Sequence, residues 1–409
     1  MAPLNTLSAR LAAYHAGRDP ELVARKYAAM AASPFAFYRG SCQLFFDAWP
    51  AHHALDRTPA VWGCGDLHFE NFGSYKSDNR LVYFDLNDFD EAALVPAAWE
   101  VTRFAASVLV GAAAIGVSGA DAVRLANSYL DAYAAALATG KARWVERETA
   151  TGRTRALLDA VRARKRRKLL GRRTTGSGQR RRLLIDGVKT LPATRAQGAL
   201  VRRLLRDAAR ALGEPQFFRV LDVARRVAGT GSLGLTRWVV LVAGRGGADG
   251  QYLLDLKEAR PSAPASRSPY RQPTWPNQAA RIAAVQQRVQ VVAPALLHAL
   301  RNGTGSFVLR ELQPTADRLQ LEEWRGDLAD LGGAMTTMAE LTAWGQLRAS
   351  GRDGSAMADS LIAFAQSRGW RRAALMMAKR VAAMTMREWR AFGDARHAAG
   401  ITSRERRPR

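Results

Sequence analysis

The sequence predicts an α+β fold of two lobes, one helical and one rich in β-strands. Apolar residues recur at helical spacing in residues 8–57, 96–139 and 328–396. Residues 217–259 instead contain runs of β-branched and aromatic residues separated by glycines, which is typical of strands and turns. The 409 residues are 48% hydrophobic and 24% charged, a balance that excludes a wholly disordered chain.

The first segment, residues 1–140, is predicted to form the first part of the helical lobe. Its early helices are interrupted at Ser33-Pro34, because the residue before a proline disfavours helical backbone angles. The run 80–87 has the character of a short strand and follows a polar turn, which predicts a hairpin. Residues 96–139 are apolar on most faces and predict a pair of buried helices.

The remaining chain divides by composition into three segments. They are predicted as a basic helical segment (141–212), a β-rich small lobe (213–327), and C-terminal helices that complete the helical lobe and end in a basic tail at 404–409 (328–409). The strands of the small lobe are predicted at 217–220, 226–228, 235–242 and 252–258, with a Gly-rich turn at 244–250. A helix over 279–300 and strands at 306–312 and 319–322 are predicted to follow this antiparallel meander.

The chain is strongly basic, since 61 Lys and Arg residues against 36 Asp and Glu residues give a net charge of +25. Eleven of the basic residues lie within residues 162–182, which contain no acidic residue. Such a charge attracts nucleic acid, acidic lipid or phosphorylated metabolites, although a solvated helix face is the more common role of a charge run. Aromatic residues are not interleaved with these arginines, which disfavours a platform that stacks single-stranded bases.

Several features predict a cytoplasmic protein without disulfides or a membrane span. Cys42 and Cys64 are the only cysteines, and the N-terminus lacks the basic start and apolar run of a secretory signal. The longest weakly polar run, 104–117, is shorter than the roughly 20 residues that cross a bilayer. The six histidines show no metal-ligand spacing with cysteine, which disfavours zinc.

An acidic loop in the first segment carries the spacing of a phosphotransferase site. Kinase-type enzymes need a carboxylate that accepts the proton of the attacking hydroxyl, an amide oxygen five residues later, and a further carboxylate for Mg²⁺. Asp66 and Asn71 have this spacing, and Asp88 follows a predicted strand. The sequence therefore predicts Asp66 as the catalytic base and Asn71 with Asp88 as metal ligands, against the alternative of a structural loop.

Three neighbouring residues each have two alternative roles. Asp85, at the end of the apolar strand, fits the distance from Asn71 and stays an alternative metal ligand to Asp88. Asp90 is either a second ligand or an acid at a helix N-terminus. His68 either touches phosphate or orients the loop by hydrogen bonding, and the second role is preferred.

A second motif, Gly-x-Gly-x-x-Gly, occupies residues 229–234. Strands are predicted on both sides, so the glycines lie in a hairpin, where backbone N–H groups approach phosphates because no Cβ obstructs them. Gly229, Gly231, Ser232 and Gly234 are therefore predicted to contact ATP. Lys257 follows two strands later, and a lysine in an apolar strand is costly to bury unless it is paired. It is predicted to contact the α and β phosphates, with an exposed edge-strand lysine as the alternative.

The order of the two motifs is unusual. In ordinary kinases the Gly-rich loop and the lysine precede the catalytic loop, whereas here they follow Asp66 by more than 160 residues. We expect a circular permutation of the two lobes, against the alternative that one motif is accidental. Residues 278–300 contain no Asp or Glu to pair with Lys257, which leaves Glu258, another acid or the nucleotide as its partner.

These motifs also resemble known families. Gly65-Asp-Leu-His-x-x-Asn71 resembles the catalytic loop of aminoglycoside phosphotransferases and related small-molecule kinases, and residues 88–100 resemble their metal-binding segment and the helix after it. The sequence segments at 33–40, 65–73 and 87–91 resemble the bacterial family called domain of unknown function 2252, and this resemblance covers most of the chain. That family has no settled activity.

The sequence thus predicts a circularly permuted, protein kinase-like fold that binds ATP and Mg²⁺ between its lobes. The expected reaction is transfer of the γ-phosphoryl group to a hydroxyl of a small molecule or a protein, including acidic or phosphorylated ones. Adenylyl transfer and an inactive pseudokinase are alternatives that would use the same site residues. Nucleic-acid binding through residues 162–182 is an alternative of a different class.

Overall fold

The computed structural model describes residues 6–247, 250–303, 305–314, 318–324 and 327–398. The predicted basic tail and the middle of the predicted Gly-rich turn at 244–250 lie outside these residues.

The described residues form both helices and strands, and the chain is an α+β protein as predicted. The helices are α1 (Leu7–Tyr14), α2 (Pro20–Ala32), α3 (Pro34–Gly40), α4 (Cys42–Asp47), α5 (Ala97–Gly111), α6 (Gly119–Ala138), α7 (Gly152–Ala163), α8 (Arg166–Arg173), α9 (Arg195–Ala211), α10 (Gln278–Val289), α11 (Leu328–Arg348), α12 (Ala358–Gln366) and α13 (Trp370–Ala398). The strands are β1 (Ala60–Gly63), β2 (Phe72–Lys76), β3 (Val82–Leu86), β4 (Ala93–Pro96), β5 (Val145–Glu146), β6 (Thr174–Thr175), β7 (Arg182–Leu183), β8 (Thr190–Pro192), β9 (Val220–Arg226), β10 (Arg237–Val242), β11 (Tyr252–Glu258), β12 (His298–Asn302) and β13 (Gly305–Glu311).

The largest hydrophobic core belongs to the helical part of the chain. Helices α5, α6, α11 and α13 pack together there with the small strands β1–β4. Helix α5 is buried on nearly every face, and α6 packs beside it, so the predicted pair of buried helices is confirmed. The stretch Ala97–Ile115 is long and apolar enough to cross a membrane by length and composition alone, but most of it is buried inside this core. A buried core helix of a folded protein passes the same test of length and composition.

An antiparallel six-stranded sheet forms the second core, with the strand order β12-β13-β11-β10-β9-β8. Side chains alternate between its two faces, as the pleat requires. Trp238 and Val240 face α9, whereas Val239 and Leu241 face Leu170 of α8. The basic segment between α7 and α9 therefore covers both faces of this sheet and supplies its edge strand β8.

Several predicted elements differ from the structure, beginning with two that follow β11. The helix expected over 279–300 ends at Val289, and its last residues form β12 instead, because Pro294 cannot continue a helix. The strand expected at 319–322 is a 3₁₀ turn, Leu321–Trp324, preceded by one bridge at Arg318. Leu319 and Leu321 are both buried, and because a strand also buries alternate residues, the pattern at 319–322 resembles that of a strand.

In place of the two strands expected at 217–220 and 226–228, the structure has one strand, β9, which spans the residues between them, Val220–Arg226. Its charged residues obscure the period of two that marks a strand, and pairing with β8 and β10 decides its structure. The segment expected to be helical over 141–212 also contains the short strands β5–β8.

Asp85 joins the β2–β3 hairpin to α11. Its carboxylate lies 3.0 Å from Nη2 of Arg348 and accepts a 2.8 Å hydrogen bond from its neighbour, the backbone N–H of Leu86. The side chain is only 1% exposed, and this burial raises the pKa of Asp85 to about 6. Arg348 opposes the rise by favouring the ionised form.

This raised pKa predicts a pH-dependent contribution to stability. The folded chain holds the Asp85 proton more tightly than the unfolded chain, whose aspartates titrate near about 3.9. The contribution is therefore fully present below pH of about 4 and is lost as the pH rises through about 6. Relative to wild type, Asp85→Asn should become more stable between pH 4 and 7.5, by up to about 3 kcal/mol in the free energy of unfolding from urea melts.

The matched control is Asp78→Asn, which removes an exposed carboxylate in the turn of the same hairpin. Its stability difference from wild type should stay constant over this pH range. Parallel curves for Asp85→Asn and wild type would contradict a buried, titrating Asp85.

Candidate functional site

The loop between β1 and β2, residues 65–71, is fixed at its start by α5. The carboxylate of Glu100 accepts hydrogen bonds from the backbone N–H groups of Cys64, at 3.1 Å, and Gly65, at 2.9 Å. Gly65 has φ of +79°, and a Cβ there would lie 2.0 Å from the carbonyl oxygen of Glu91. A glycine is therefore required at this position, and its absence of a side chain lets the loop pass directly beside the segment that follows Asp88.

Asp66 is held by Arg103 of α5. Nε of Arg103 donates a 2.9 Å hydrogen bond to Oδ1 of Asp66, and Nη2 donates to the same oxygen. The guanidinium lies fully buried beside the rings of Tyr38 and Phe45, with its Cζ 4.4 Å and 5.2 Å from their centroids. Burial raises the pKa of Asp66, and Arg103 opposes this rise. Both hydrogen bonds go to Oδ1, so the guanidinium leaves Oδ2 for another partner.

Asn71 connects the loop to the segment of Asp88. Its Nδ2 donates hydrogen bonds to the backbone carbonyl oxygens of Asp66, at 3.3 Å, and Asp88, at 3.2 Å. Its Oδ1 is buried, and no described residue donates a hydrogen bond to it. A buried amide oxygen without a donor is unusual in a folded protein and is a suitable ligand for a hard cation.

Lys257 of β11 reaches the same segment from the sheet. Its Nζ forms an ion pair with Asp90 and lies 3.9 Å from Oδ1 of Asp88. Burial acts to raise the pKa of Asp88, but Lys257, followed by Arg318, holds it well below its usual range. Asp88 is therefore ionised at neutral pH. The acid that pairs with Lys257 is Asp90 and not Glu258, which accepts a 3.0 Å hydrogen bond from the N–H of Thr236.

The glycine-rich motif forms the turn between β9 and β10, in the hairpin setting that was expected. Gly229 and Gly234 have positive φ angles of 78° and 89°, which glycine adopts readily. Oγ of Ser232 lies 3.4 Å from Oδ2 of Asp90. A Cβ on Gly231 would lie 3.5 Å from the carbonyl oxygen of Arg39. The turn therefore sits directly against the loops of the helical core.

Two basic residues near the N-terminus hold this turn in place. Nζ of Lys26 donates to the carbonyl oxygens of Thr230, at 3.1 Å, and Gly231, at 2.8 Å. Arg18 donates to Gly231, at 2.9 Å, and to Leu233, at 3.2 Å. Lys26 is completely buried, and burial, followed by the charge of Arg18, lowers its pKa well below the usual range. The carbonyl groups of the turn face α2, which leaves the opposite side of its backbone toward the cleft.

Helix α10 contributes Arg281 to the acidic segment around Asp90. Arg281 donates hydrogen bonds to the carbonyl oxygens of Asp90 and Arg260, at 2.8 Å and 2.9 Å, and also to that of Ala92. It thereby fixes the backbone around the Lys257 ion pair. The helix acts on the backbone of the acidic segment instead of on the lysine.

Two further predicted site residues have different surroundings. The Asp85 carboxylate faces Arg348 and the core and does not join Asp88 at the cleft. His68 is buried edge-on to Phe35, and no described residue bonds to its Nδ1. Burial, followed by Arg39, lowers the pKa of His68 well below its usual range and keeps the ring neutral.

The sequence prediction missed four residues that support the site: Lys26, Glu100, Arg103 and Arg281. Glu100 and Arg103 carried a usable signal, because charged residues three positions apart in an otherwise apolar helix must find buried partners. Lys26 and Arg281 carried no such signal, since each lies in an amphipathic helix where a basic residue is ordinarily solvated.

Two cavities meet at Arg39, Asp88 and Ser232. The first, of about 310 Å³, is lined by Asp66 and Asp90 among other residues. The second, of about 200 Å³, lies on the other side of the glycine-rich turn. Within the described ranges, no group of three or more His, Cys, Asp or Glu side chains is arranged to hold a metal ion by itself. A cation at Asp88 would therefore need Asn71 and oxygens of a bound molecule as its other ligands.

The chain was compared with known families, curated proteins and solved structures. A model of the family described as an uncharacterized protein conserved in bacteria, DUF2252, matches residues 18–395. No curated protein and no solved structure matches the chain.

The contacts of Lys26 predict that it controls the mobility of the glycine-rich turn. Lys26→Met should keep the volume of the side chain while it removes the Lys26 hydrogen bonds to the carbonyl groups of Thr230 and Gly231, of which the second keeps Arg18 as a donor. We expect amide hydrogen exchange of residues 229–235 to become faster by about tenfold, with the rest of the sheet unchanged. The control is Arg25→Met, which changes the adjacent and more exposed basic residue. Equal exchange in the two variants would contradict this role of Lys26.

Proposed function

We propose that this chain, which belongs to the DUF2252 family, is an ATP- and Mg²⁺-dependent phosphotransferase with a circularly permuted, kinase-like arrangement of its lobes. The observation that carries the proposal is the approach of Lys257 to Asp88 and Asp90, which lie more than 160 residues earlier in the chain. A kinase-type site needs a strand lysine and a metal-binding carboxylate on opposite walls of one cleft.

The order of elements around Lys257 also supports the proposal. A glycine-rich turn joins β9 to β10, Lys257 lies in the next strand β11, and α10 and the pair β12–β13 follow. This is the order expected of a kinase small lobe. The turn contacts Asp90 through Ser232, so the two motifs that the sequence separates share one cleft. A chance pairing of unrelated motifs gives no reason for this contact.

Asp66 is the group that would accept the proton of the attacking hydroxyl. The hydroxyl oxygen forms a bond to the γ-phosphorus, the bond from that phosphorus to the bridging oxygen breaks, and ADP leaves. The proton goes to the Asp66 carboxylate. Arg103 holds Oδ1 and so fixes the orientation of the carboxylate, while the raised pKa of Asp66 makes it a stronger base than an exposed aspartate.

Asn71 and Asp88 are the residues that would hold Mg²⁺. The fit rests on the buried Oδ1 of Asn71, which lacks a donor among the described residues, and on the low pKa of Asp88, which keeps that carboxylate ionised. The metal, when bound, supplies positive charge that neutralises the phosphate oxygens. Lys257 supplies further positive charge, and the glycines of the 229–234 turn let backbone N–H groups come close to the phosphates.

One observation favours a second candidate, an inactive nucleotide-binding scaffold. Helix α10 has Arg281 and no acidic residue to pair with Lys257, which instead contacts Asp90. A scaffold of this kind would bind Mg-ATP without turnover. Asp66 and Asp88 nonetheless line one cavity, and Asn71 joins their backbones through its Nδ2, an arrangement that supports the active enzyme.

The proposal is tested by changing the base. Asp66→Asn keeps the size of the side chain and an oxygen for Arg103 but removes the proton acceptor, so we expect the turnover rate to fall by about 100-fold or more. The affinity for ATP should stay within about threefold, because the base acts on the acceptor and not on the nucleotide. Isothermal titration measures the affinity, and ADP formation with a panel of hydroxyl acceptors measures turnover.

Asp131→Asn, on an exposed face of α6, serves as the control and should leave both quantities unchanged. Wild-type turnover should also fall with acid at a pH above the usual aspartate range, because Asp66 must be ionised and its pKa is raised. Normal turnover by Asp66→Asn removes this residue from the chemistry, and ATP binding without any turnover by wild type identifies the scaffold.

The metal assignment is tested separately. Asp88→Asn replaces an ionised ligand with a neutral amide, so Mg²⁺-dependent binding of ATP should weaken by about tenfold or more. Asp85→Asn should leave it within about twofold, because Asp85 pairs with Arg348 away from the cleft. The measurement is titration with ATP in excess Mg²⁺ and in EDTA. Equal losses in the two variants, or a larger loss for Asp85→Asn, would overturn the assignment.

A further inference from the structure

The second cavity, of about 200 Å³, is lined by an unusual number of arginines. We call it the arginine cavity, and its arginines are Arg39, Arg226, Arg237, Arg310 and Arg318. The first lies on α3, the next three lie on strands β9, β10 and β13 of the six-stranded sheet, and the last lies beyond the sheet. Backbone atoms of the glycine-rich turn close the same cavity.

Three of these arginines share a single carboxylate, that of Asp255 on β11. Arg237 binds it with two hydrogen bonds, at 2.7 Å and 2.6 Å, Arg226 lies 2.8 Å away, and Arg310 lies 3.6 Å away. Their side chains are 7–13% exposed. One carboxylate among three guanidinium groups leaves two positive charges uncompensated in a largely buried place, which is costly without a further anion.

The other two arginines do not reduce this excess. Arg39 pairs with Glu70, but its Nε is buried and has no acceptor in the described part of the chain. Arg318 lies 4.0 Å from the nearest oxygen of Asp88, a carboxylate that it shares with Lys257. Burial, followed by the repulsion of Arg237, lowers the pKa of Arg226 to about 9, because neighbouring positive charges disfavour its protonated form.

We propose that the arginine cavity binds the phosphate chain of a ligand. Guanidinium groups bind phosphate oxygens through paired hydrogen bonds, and a chain of two or three phosphates carries enough charge to compensate the excess. Two kinds of ligand would supply such a phosphate chain. It belongs to the nucleotide, in which case the inference rests on the proposed function, or it belongs to a phosphorylated acceptor that binds beside Asp88.

The first test uses tripolyphosphate without nucleoside or Mg²⁺, so that it does not depend on catalysis. Isothermal titration is carried out at 300 mM NaCl, where exposed charges are strongly screened. Wild type should bind one equivalent, and Arg318→Gln should weaken the binding by about tenfold. The control Arg172→Gln removes one exposed charge of the basic segment and should leave the affinity unchanged.

A second variant protects the test against misfolding. Arg318 is 22% exposed, and its ion pair with Asp88, the one it forms among the described residues, is long at 4.0 Å, so Arg318→Gln should retain the thermal unfolding of wild type. Arg226→Gln changes a more buried member of the cluster and should also weaken tripolyphosphate binding while it reduces the repulsion around Asp255. Absence of binding by wild type, or an equal loss in Arg172→Gln and Arg318→Gln, would overturn the proposal.

Competition with Mg-ATP then identifies the source of the phosphate chain. Displacement of tripolyphosphate by Mg-ATP supports the cavity as the place of the nucleotide's own phosphates. Simultaneous binding supports a phosphorylated acceptor. If tripolyphosphate fails to bind while Mg-ATP binds and Asp66-dependent turnover proceeds, the arginine cavity loses this role and the proposed function stands. If tripolyphosphate binds and Mg-ATP does not, the proposed function fails and the anion site stands.

Discussion

Helix α5 carries two charges into the core of the helical lobe, and the geometry of the site depends on how these charges are matched. Glu100 meets the N–H groups of Cys64 and Gly65, and Arg103 meets Asp66. Buried charges are tolerated only with such partners, so any displacement of the loop leaves a charge uncompensated. The packing of a single apolar helix thereby sets the position of the proposed base. Precision at the site comes from the core and not from the loop itself.

The sheet and the helical lobe meet through contacts that mostly involve backbone oxygens. Lys26 holds carbonyl groups of the glycine-rich turn, and Arg281 holds those around Asp90. Such contacts depend little on which side chains occupy the turn or the acidic segment. Direct contacts between side chains include those of Lys257 with Asp88 and Asp90, and that of Ser232 with Asp90. Ligand binding at these contacts would change the pairing of charges while the backbone contacts preserve the cleft.

Local patterns in the sequence were sufficient for much of this description. The hairpin setting of Gly229–Gly234 followed from strand propensity on both sides, and the buried helices followed from their apolar faces. Local patterns failed where distant contacts decide the outcome. Spacing from Asn71 could not separate Asp85 from Asp88, because the choice depends on Arg348, which α11 brings from far along the chain. The apolar pattern continues beyond Val289 at helical spacing, but Pro294 cannot continue a helix, so α10 is shorter than predicted.

The order of the motifs along the chain has a consequence for synthesis on the ribosome. The segment with Asp88 and Asp90 emerges first, and the strand with Lys257 follows only after about 170 further residues. At roughly 5 to 20 residues per second, this interval lasts on the order of ten to thirty seconds. Throughout it the two carboxylates have no lysine partner, and the glycine-rich turn does not yet exist. The helical part of the nascent chain therefore cannot form the cleft between Asp88 and Lys257 before the sheet is made, and assembly of the candidate site is a late event in the synthesis of each new chain.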